Sequence, residues 1–313
     1  LEALYPPDLR PDLTADQASI AVPPGDNTLI QDDIKALANK IMPRNFQTVP
    51  IHSMDFDKDS VLSHQWCSRI HQLTTTSVND TKWSLDTETK YKNALDAFKA
   101  FVQKPDLTIH QVYPYMDAIY ATKFNLDSIG KLEDVYPDLM KFRFDYFQQL
   151  WSTEESRLIY SNGFITELIR YMNDAKTQYE NNKLSDYFRY KLSLYFGTSE
   201  SLYVISKHLG YSHTQVPSFS SQFLVQMDID ADKNYWVTVL YNKEAIKLQG
   251  ACAGNVTCSY GQFVSFLKSK LANPGTIKDC KPLTPMNMLM IDSQPAGDHT
   301  NLVVVSVIIC AII

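Results

Sequence analysis

Seven histidines are the first residues to weigh as chemistry: His52, His64, His71, His110, His208, His213 and His299. An imidazole works as nucleophile, base or metal ligand only beside fixed partners, and none of these stands in an H-E-x-x-H, an R-H-G or a His-Asp pair. His64 and His71 fall seven apart on one helical pattern, a spacing that reads as a surface or interfacial pair rather than a metal site. His208 closes another helical pattern, where its charge would complement the dipole. The chain carries no G-x-S-x-G elbow, no G-x-x-x-x-G-K-S/T and no G-x-G-x-x-G, so neither a serine nucleophile turn nor a phosphate cradle is written here. The dense carboxylates Glu154, Glu155 and Asp230, Asp232 suit solvated turns. Five cysteines without a C-x-x-C do not make a zinc site. Cys252 and Cys258 bracket a short polar loop that a disulfide could close, although free thiols packed as small hydrophobes would use the same residues. Two N-x-T sequons, at Asn79 and Asn255, fall in polar loops, the second inside the Cys252 to Cys258 loop. Sequons, paired cysteines and an apolar tail together favour the secretory pathway, in a lysosomal, cell-surface or extracellular protein.

The elements that must position these residues are mostly helical. Apolar residues at three- to four-residue spacing predict helices over 61–73, 87–102, 109–123, 132–152 and 163–179, after an earlier one through Leu29 to Ile41. Phe46 to Ile51 reads as a short strand ending near His52. Alternation over 189–196 runs into Gly197 and then a helix over 199–209, a strand, turn and helix unit. Strands over 223–229 and 235–241 flank the polar turn Asp230 to Asn234, and Ser259 caps a last helix through Phe263, Phe266 and Leu267. A strand and helix entry, a long helical insertion and a return to strands describe an α/β domain with an inserted helical cap. The 313 residues are 44% hydrophobic and 20% charged, with a net charge of -6 and no basic run, which argues against nucleic acid as a partner. Leu1 to Pro7 reads as the last turn of a helix stopped by two prolines, so we expect an N-terminally truncated chain. The uncharged tail from Leu302 to Ile313 is shorter than the roughly 20 residues of a spanning helix. Following a Pro- and Gly-containing spacer, it reads as a membrane anchor or anchor signal, with a buried strand as the alternative.

Taken in order, these segments resemble the histidine acid phosphatases, the secreted and lysosomal branch of the histidine phosphatase superfamily. Phe46 to His52 is similar to that family's W-x-P-I-P-V-H stretch, Asp59-Ser60-Val61-Leu62 to its D-x-L-L, and Cys67-Ser68-Arg69 to its Cys-Pro-Arg. Asn162-Gly163-Phe164-Ile165 resembles the helix before its catalytic strand. Tyr235 to Asn242, Leu248-Gln249-Gly250, Cys252, Cys258 and Phe263 follow in the family's order. The resemblance implies disulfides Cys67 to Cys280 and Cys252 to Cys258, with Cys310 in the tail. It also implies phosphate monoester hydrolysis without a cofactor or metal: an R-H-G-x-R-x-P turn supplies the nucleophile, and a later His-Asp pair binds phosphate and protonates the leaving group. No R-H-G-x-R-x-P turn occurs in this sequence, and Thr198 and Ser199 stand where His and Asp would be. A one-residue slip would put Glu200 in the acid role. Read from the residues alone, the stretch is a helix N-cap, with Ser199 accepting from the helix amides and Glu200 in the first turn.

The expectation is therefore an α/β fold with a central, mostly parallel sheet flanked by helices and an inserted helical cap, lacking the N-terminal strand. Residues 1–55 and 185–285 would form the phosphatase-like core, 56–184 the cap and connecting helices, and 286–313 the spacer and tail. The expected function is that of an inactive phosphatase-like protein. The alternatives are an active acid phosphatase using Glu200 as proton donor and a non-catalytic surface binding protein. Phosphate or a phosphomonoester is the expected small ligand, Leu302 to Ile313 the expected membrane anchor, and a homodimer follows by family analogy.

Overall fold

The computed structural model describes residues 54–55, 57–180, 192–278, 280–281 and 306–312. Contacts divide the chain into two compact units, Leu1–Met54 and Asp55–Ile313, and apart from Met54 all described residues belong to the second. The expected elements at Leu1 to Pro7, Leu29 to Ile41 and Phe46 to His52 lie outside the described residues.

The second unit begins with turns through Asp59 to Trp66, then seven helices: α1 (Ser68–Val78), α2 (Thr81–Lys90), α3 (Lys92–Phe101), the short α4 (Ile109–Val112), α5 (Tyr115–Phe124), α6 (Tyr136–Leu150) and α7 (Glu154–Glu180). Their starts are written in local chemistry. The Asp80 carboxylate accepts from the Trp83 amide at 2.7 Å to open α2. Thr108 and Gln111 exchange side-chain and backbone bonds in a capping box at α4. Pro137 sits in the first turn of α6, where its missing N–H costs nothing. The expected helix over 61–73 starts later, at Ser68, so His64 lies off the helix that carries His71.

The chain then alternates: β1 (Leu192–Gly197), α8 (Ser199–His208), β2 (Gln222–Ile229), β3 (Tyr235–Tyr241), β4 (Glu244–Ala245), β5 (Thr257–Ser259), α9 (Tyr260–Ser269), the short α10 (Pro274–Ile277) and β6 (Ser306–Ile312). These strands form one sheet in the order β1-β6-β2-β3-β4, with β5 on β3.

The expected central, mostly parallel sheet is not what forms. Among the described strands only β2 and β6 run parallel, while β1–β6, β2–β3, β3–β4 and β3–β5 are antiparallel. The reason lies in the connections. Parallel neighbours need a crossover of a dozen or more residues, whereas β2 and β3 are joined by Asp230 to Asn234, and β3 and β4 by Asn242 and Lys243 alone. Both residues of that two-residue link have positive φ, 49° and 74°, as a tight hairpin turn demands. The helical connection through α8 joins β1 to β2, yet β6 lies between these two strands and is antiparallel to the first and parallel to the second. β1 and β2 therefore run in opposite directions, and no parallel crossover unit results. The Ser306–Ile312 part of the apolar tail is a strand inside the sheet, the arrangement that the sequence left as the alternative to an anchor. Among the described residues, no helix is long and apolar enough to cross a membrane.

Two hydrophobic clusters hold this unit together. One joins Phe223, Val225 and Met227 of β2 and Val237 and Val239 of β3 to α8, α9 and the buried face of α7. Alternate residues of β2 are buried, as a strand with one covered face requires. The other cluster is confined to Val78 through Tyr146, built on Phe98, Met116, Leu139 and Phe142. Residues of α8 are buried almost all round, Leu202 to Ser206 without a break. Its N-terminus, like any helix start, needs polar groups to pair its first amides.

Candidate functional site at the start of α8

Thr198 is the N-cap of α8, one residue ahead of the Ser199 that the sequence suggested. Its backbone is extended (φ -97°, ψ 172°), and its Oγ1 accepts from the Ser201 amide at 3.3 Å. Ser201 returns the bond, its Oγ accepting from the Thr198 amide at 3.2 Å, so the two residues complete a capping box. Ser199 is the first helical residue, and Glu200 stands in the first turn, where its charge complements the helix dipole.

The chain before α1 lies across this terminus. Asp59 Oδ1 accepts from the Val61 and Leu62 amides at 2.8 and 3.0 Å, turning the backbone so that the Leu62 carbonyl faces α8. Ser201 Oγ donates to that carbonyl at 2.9 Å, and Tyr160 Oη of α7 donates to it at 2.7 Å. Tyr160 Oη also lies 3.1 Å from Ser201 Oγ, and both side chains are buried. Burial pushes the Tyr160 hydroxyl well above its ordinary value, so it stays a donor. Two glycines permit the approach. A Cβ at Gly163 of α7 would stand 2.0 Å from the Ser60 carbonyl oxygen, and one at Gly197 would stand 2.8 Å from Ser201 Oγ.

His64, carried by the same stretch, meets Glu200: Nδ1 and Oε1 are 2.7 Å apart, with both side chains partly exposed. The charge of Glu200 raises the His64 pKa against the opposing effect of burial, and the hydrogen bond adds to the rise. The ring stands edge-on to Trp151 at 6.4 Å. His71 is shifted down, by burial first and by the charge of His64 second.

The sequence-predicted residues are thus brought together in part. Thr198, Ser199 and Glu200 share one helix terminus, but the first is its cap and the second its first helical residue. His64 and Tyr160 complete the cluster: the spacing pairs His64 with His71 rather than with Glu200, and no motif points to Tyr160. His64 is 136 positions from Glu200, with no motif linking them. Among the described residues no group of His, Cys, Asp or Glu is arranged to hold a metal ion. An open groove of about 540 Å³ lies elsewhere, against Gly250, Cys252, Phe266 and Ser269, and none of Thr198, Ser199, Glu200 or His64 lines it. His208, the last residue of α8, does not present a charge to the helix end. Its Nε2 meets the Lys270 carbonyl at 2.8 Å, and burial lowers its pKa.

The cysteine pairing implied by the resemblance is the pairing in the structure: Cys67 is bonded to Cys280 and Cys252 to Cys258. Such bonds are compatible with an extracellular or secretory protein. Asn79 and Asn255 are both exposed. In sequence the chain matches no protein-family model, and no match to it was found among curated proteins.

Proposed function

We propose that this chain is a catalytically silent, disulfide-bonded relative of the histidine acid phosphatases that works in the secretory pathway. The observation that carries the reading is the capping box of Thr198 and Ser201. Where the family places a phosphate ligand, the Thr198 hydroxyl is already bonded to the helix it starts, and where the family places a proton donor stands Ser199, the first helical residue. A Thr or Ser hydroxyl does not deliver a proton to a departing alkoxide as a carboxylic acid does. Glu200 does not replace the missing acid, because its carboxyl is engaged by His64 and opposes an incoming phosphate dianion with like charge. Both disulfides, at the pairs the resemblance implies, support the relationship and the compartment. The relationship rests on the cysteine pairing and the order of segments, and takes nothing from the sheet.

The test is hydrolysis of a chromogenic phosphate monoester by the oxidised chain, from acid to neutral pH. The reading predicts release no faster than in buffer. Turnover by the parent chain that disappears in Glu200→Gln overturns it and assigns Glu200 as the acid.

A further inference from the structure

Asn255 lies in a loop that the fold closes at both ends. Its backbone is extended (φ -86°, ψ 163°), its side chain is exposed, and its amide donates to the Cys252 carbonyl at 3.0 Å. Cys252 and Cys258 are bonded on either side of it. Thr257, the hydroxyl-bearing residue of the sequon, belongs to β5, where it pairs with Thr238 of β3, and its Oγ1 lies 2.9 Å from Thr238 Oγ1. A transfer enzyme that accepts only Ser or Thr at this position must read that hydroxyl, and the folded loop has given it to Thr238. Asn79 offers a contrast in the same chain. It sits between α1 and α2, the disulfide that encloses it, Cys67–Cys280, spans 213 positions rather than six, and Thr81 is exposed.

We propose that glycan transfer to Asn255 and closure of the Cys252–Cys258 disulfide compete, so that Asn255 is modified only while the loop is open. The inference rests on the secretory reading above. In the first reaction Asn255 Nδ2 forms a bond to the anomeric carbon of a lipid-linked oligosaccharide. The bond from that carbon to the lipid pyrophosphate breaks, and the amide proton leaves with a base of the transfer enzyme. In the second, Cys252 and Cys258 give up two protons and two electrons to a disulfide-bearing oxidoreductase, which becomes a dithiol. Disulfide formation takes seconds to hours, slow enough for transfer to precede it on part of the chains.

The experiment places the full chain behind a secretory leader in glycosylating cells and measures site occupancy by mass spectrometry of the glycopeptides. We expect partial occupancy at Asn255 in the parent chain. It should rise at least twofold in Cys252→Ser/Cys258→Ser and in the parent synthesised under dithiothreitol, with Asn79 unchanged. Cys67→Ser/Cys280→Ser should leave Asn255 at the parent level, which separates loop closure from general misfolding. Because occupancy is set before folding ends, a variant that fails to fold still reports it. Equal occupancy of Asn255 in parent and Cys252→Ser/Cys258→Ser, whether full or nil, overturns the competition while a glycosylated Asn79 leaves the secretory reading standing. An equal rise at both sites overturns it too. Absence of glycan from both sites in every variant overturns the competition.

Discussion

His64 and His213 both touch α8, yet acid acts on them with opposite signs. His64 gains a carboxylate partner on folding, so its pKa is raised. Its contribution to stability is present in full below the unfolded value of about 6.5 and is lost as pH rises through the raised folded value. The pair is partly exposed, which limits it to under about 1 kcal/mol. Glu200→Gln should therefore destabilise the protein more at mildly acid than at alkaline pH, and the His64 titration followed by NMR should move back down. His213 is packed among Tyr203, Tyr211 and Tyr241 with Nε2 2.6 Å from Ser206 Oγ, and burial lowers its pKa to about 3. The unfolded chain takes a proton that the folded one refuses. Stability from this residue is complete above about 6.5 and falls by about 1.4 kcal/mol for each pH unit from there towards the folded value. Urea unfolding from about pH 7 to about pH 5 should show a steep loss in the parent and a flatter curve in His213→Gln. Neither residue is legible as special in the sequence: a histidine's partner and its burial are made by residues distant in the chain.

At the scale of elements, the start of α8 is where sequence and structure agree most closely and where the remaining error is instructive. Thr198, Ser199, Glu200 and Ser201 announce a helix start, but three of them could serve as cap, and only the backbone conformation selects Thr198. Thr198→Ala should cost about 1 kcal/mol in thermal or urea unfolding, the usual worth of such a cap. Gly163 gives a prediction against propensity. Alanine in a helix interior is favoured over glycine by about 1 kcal/mol, yet here its Cβ would stand 2.0 Å from the Ser60 carbonyl. Gly163→Ala should lower the melting temperature rather than raise it. A gain in stability would mean that the Asp59 to His64 stretch does not lie against α7. The β2–β3 hairpin was legible because its turn and its alternation are both local. The place of β6 between β1 and β2 was not, because strand order depends on pairings remote in sequence.

For the whole molecule, the Cys67–Cys280 bond spans 213 positions and ties the start of α1 to the chain beyond α10. The Ser68 amide donates to the Lys281 carbonyl at 2.7 Å beside it, so the junction is both covalent and hydrogen-bonded. A cross-link over so long a loop removes much of the unfolded chain's freedom, and Cys67→Ser/Cys280→Ser should cost about 2–5 kcal/mol in urea unfolding. The fold class departs from expectation at this scale: a strand and helix entry, a helical insertion, a return to strands and the family resemblance implied a mostly parallel sheet, whereas short hairpin links make it largely antiparallel. The cysteine pairing followed from the resemblance and is the one long-range feature anticipated correctly. The central claim, that the start of α8 is a cap and not a catalytic pair, is tested most directly by Glu200→Gln read in two ways, thermal unfolding at mildly acid pH and phosphomonoester hydrolysis. The account predicts a lowered melting temperature with no hydrolysis in parent or variant. Hydrolysis by the parent that vanishes in the variant, with the melting temperature unmoved, would contradict it.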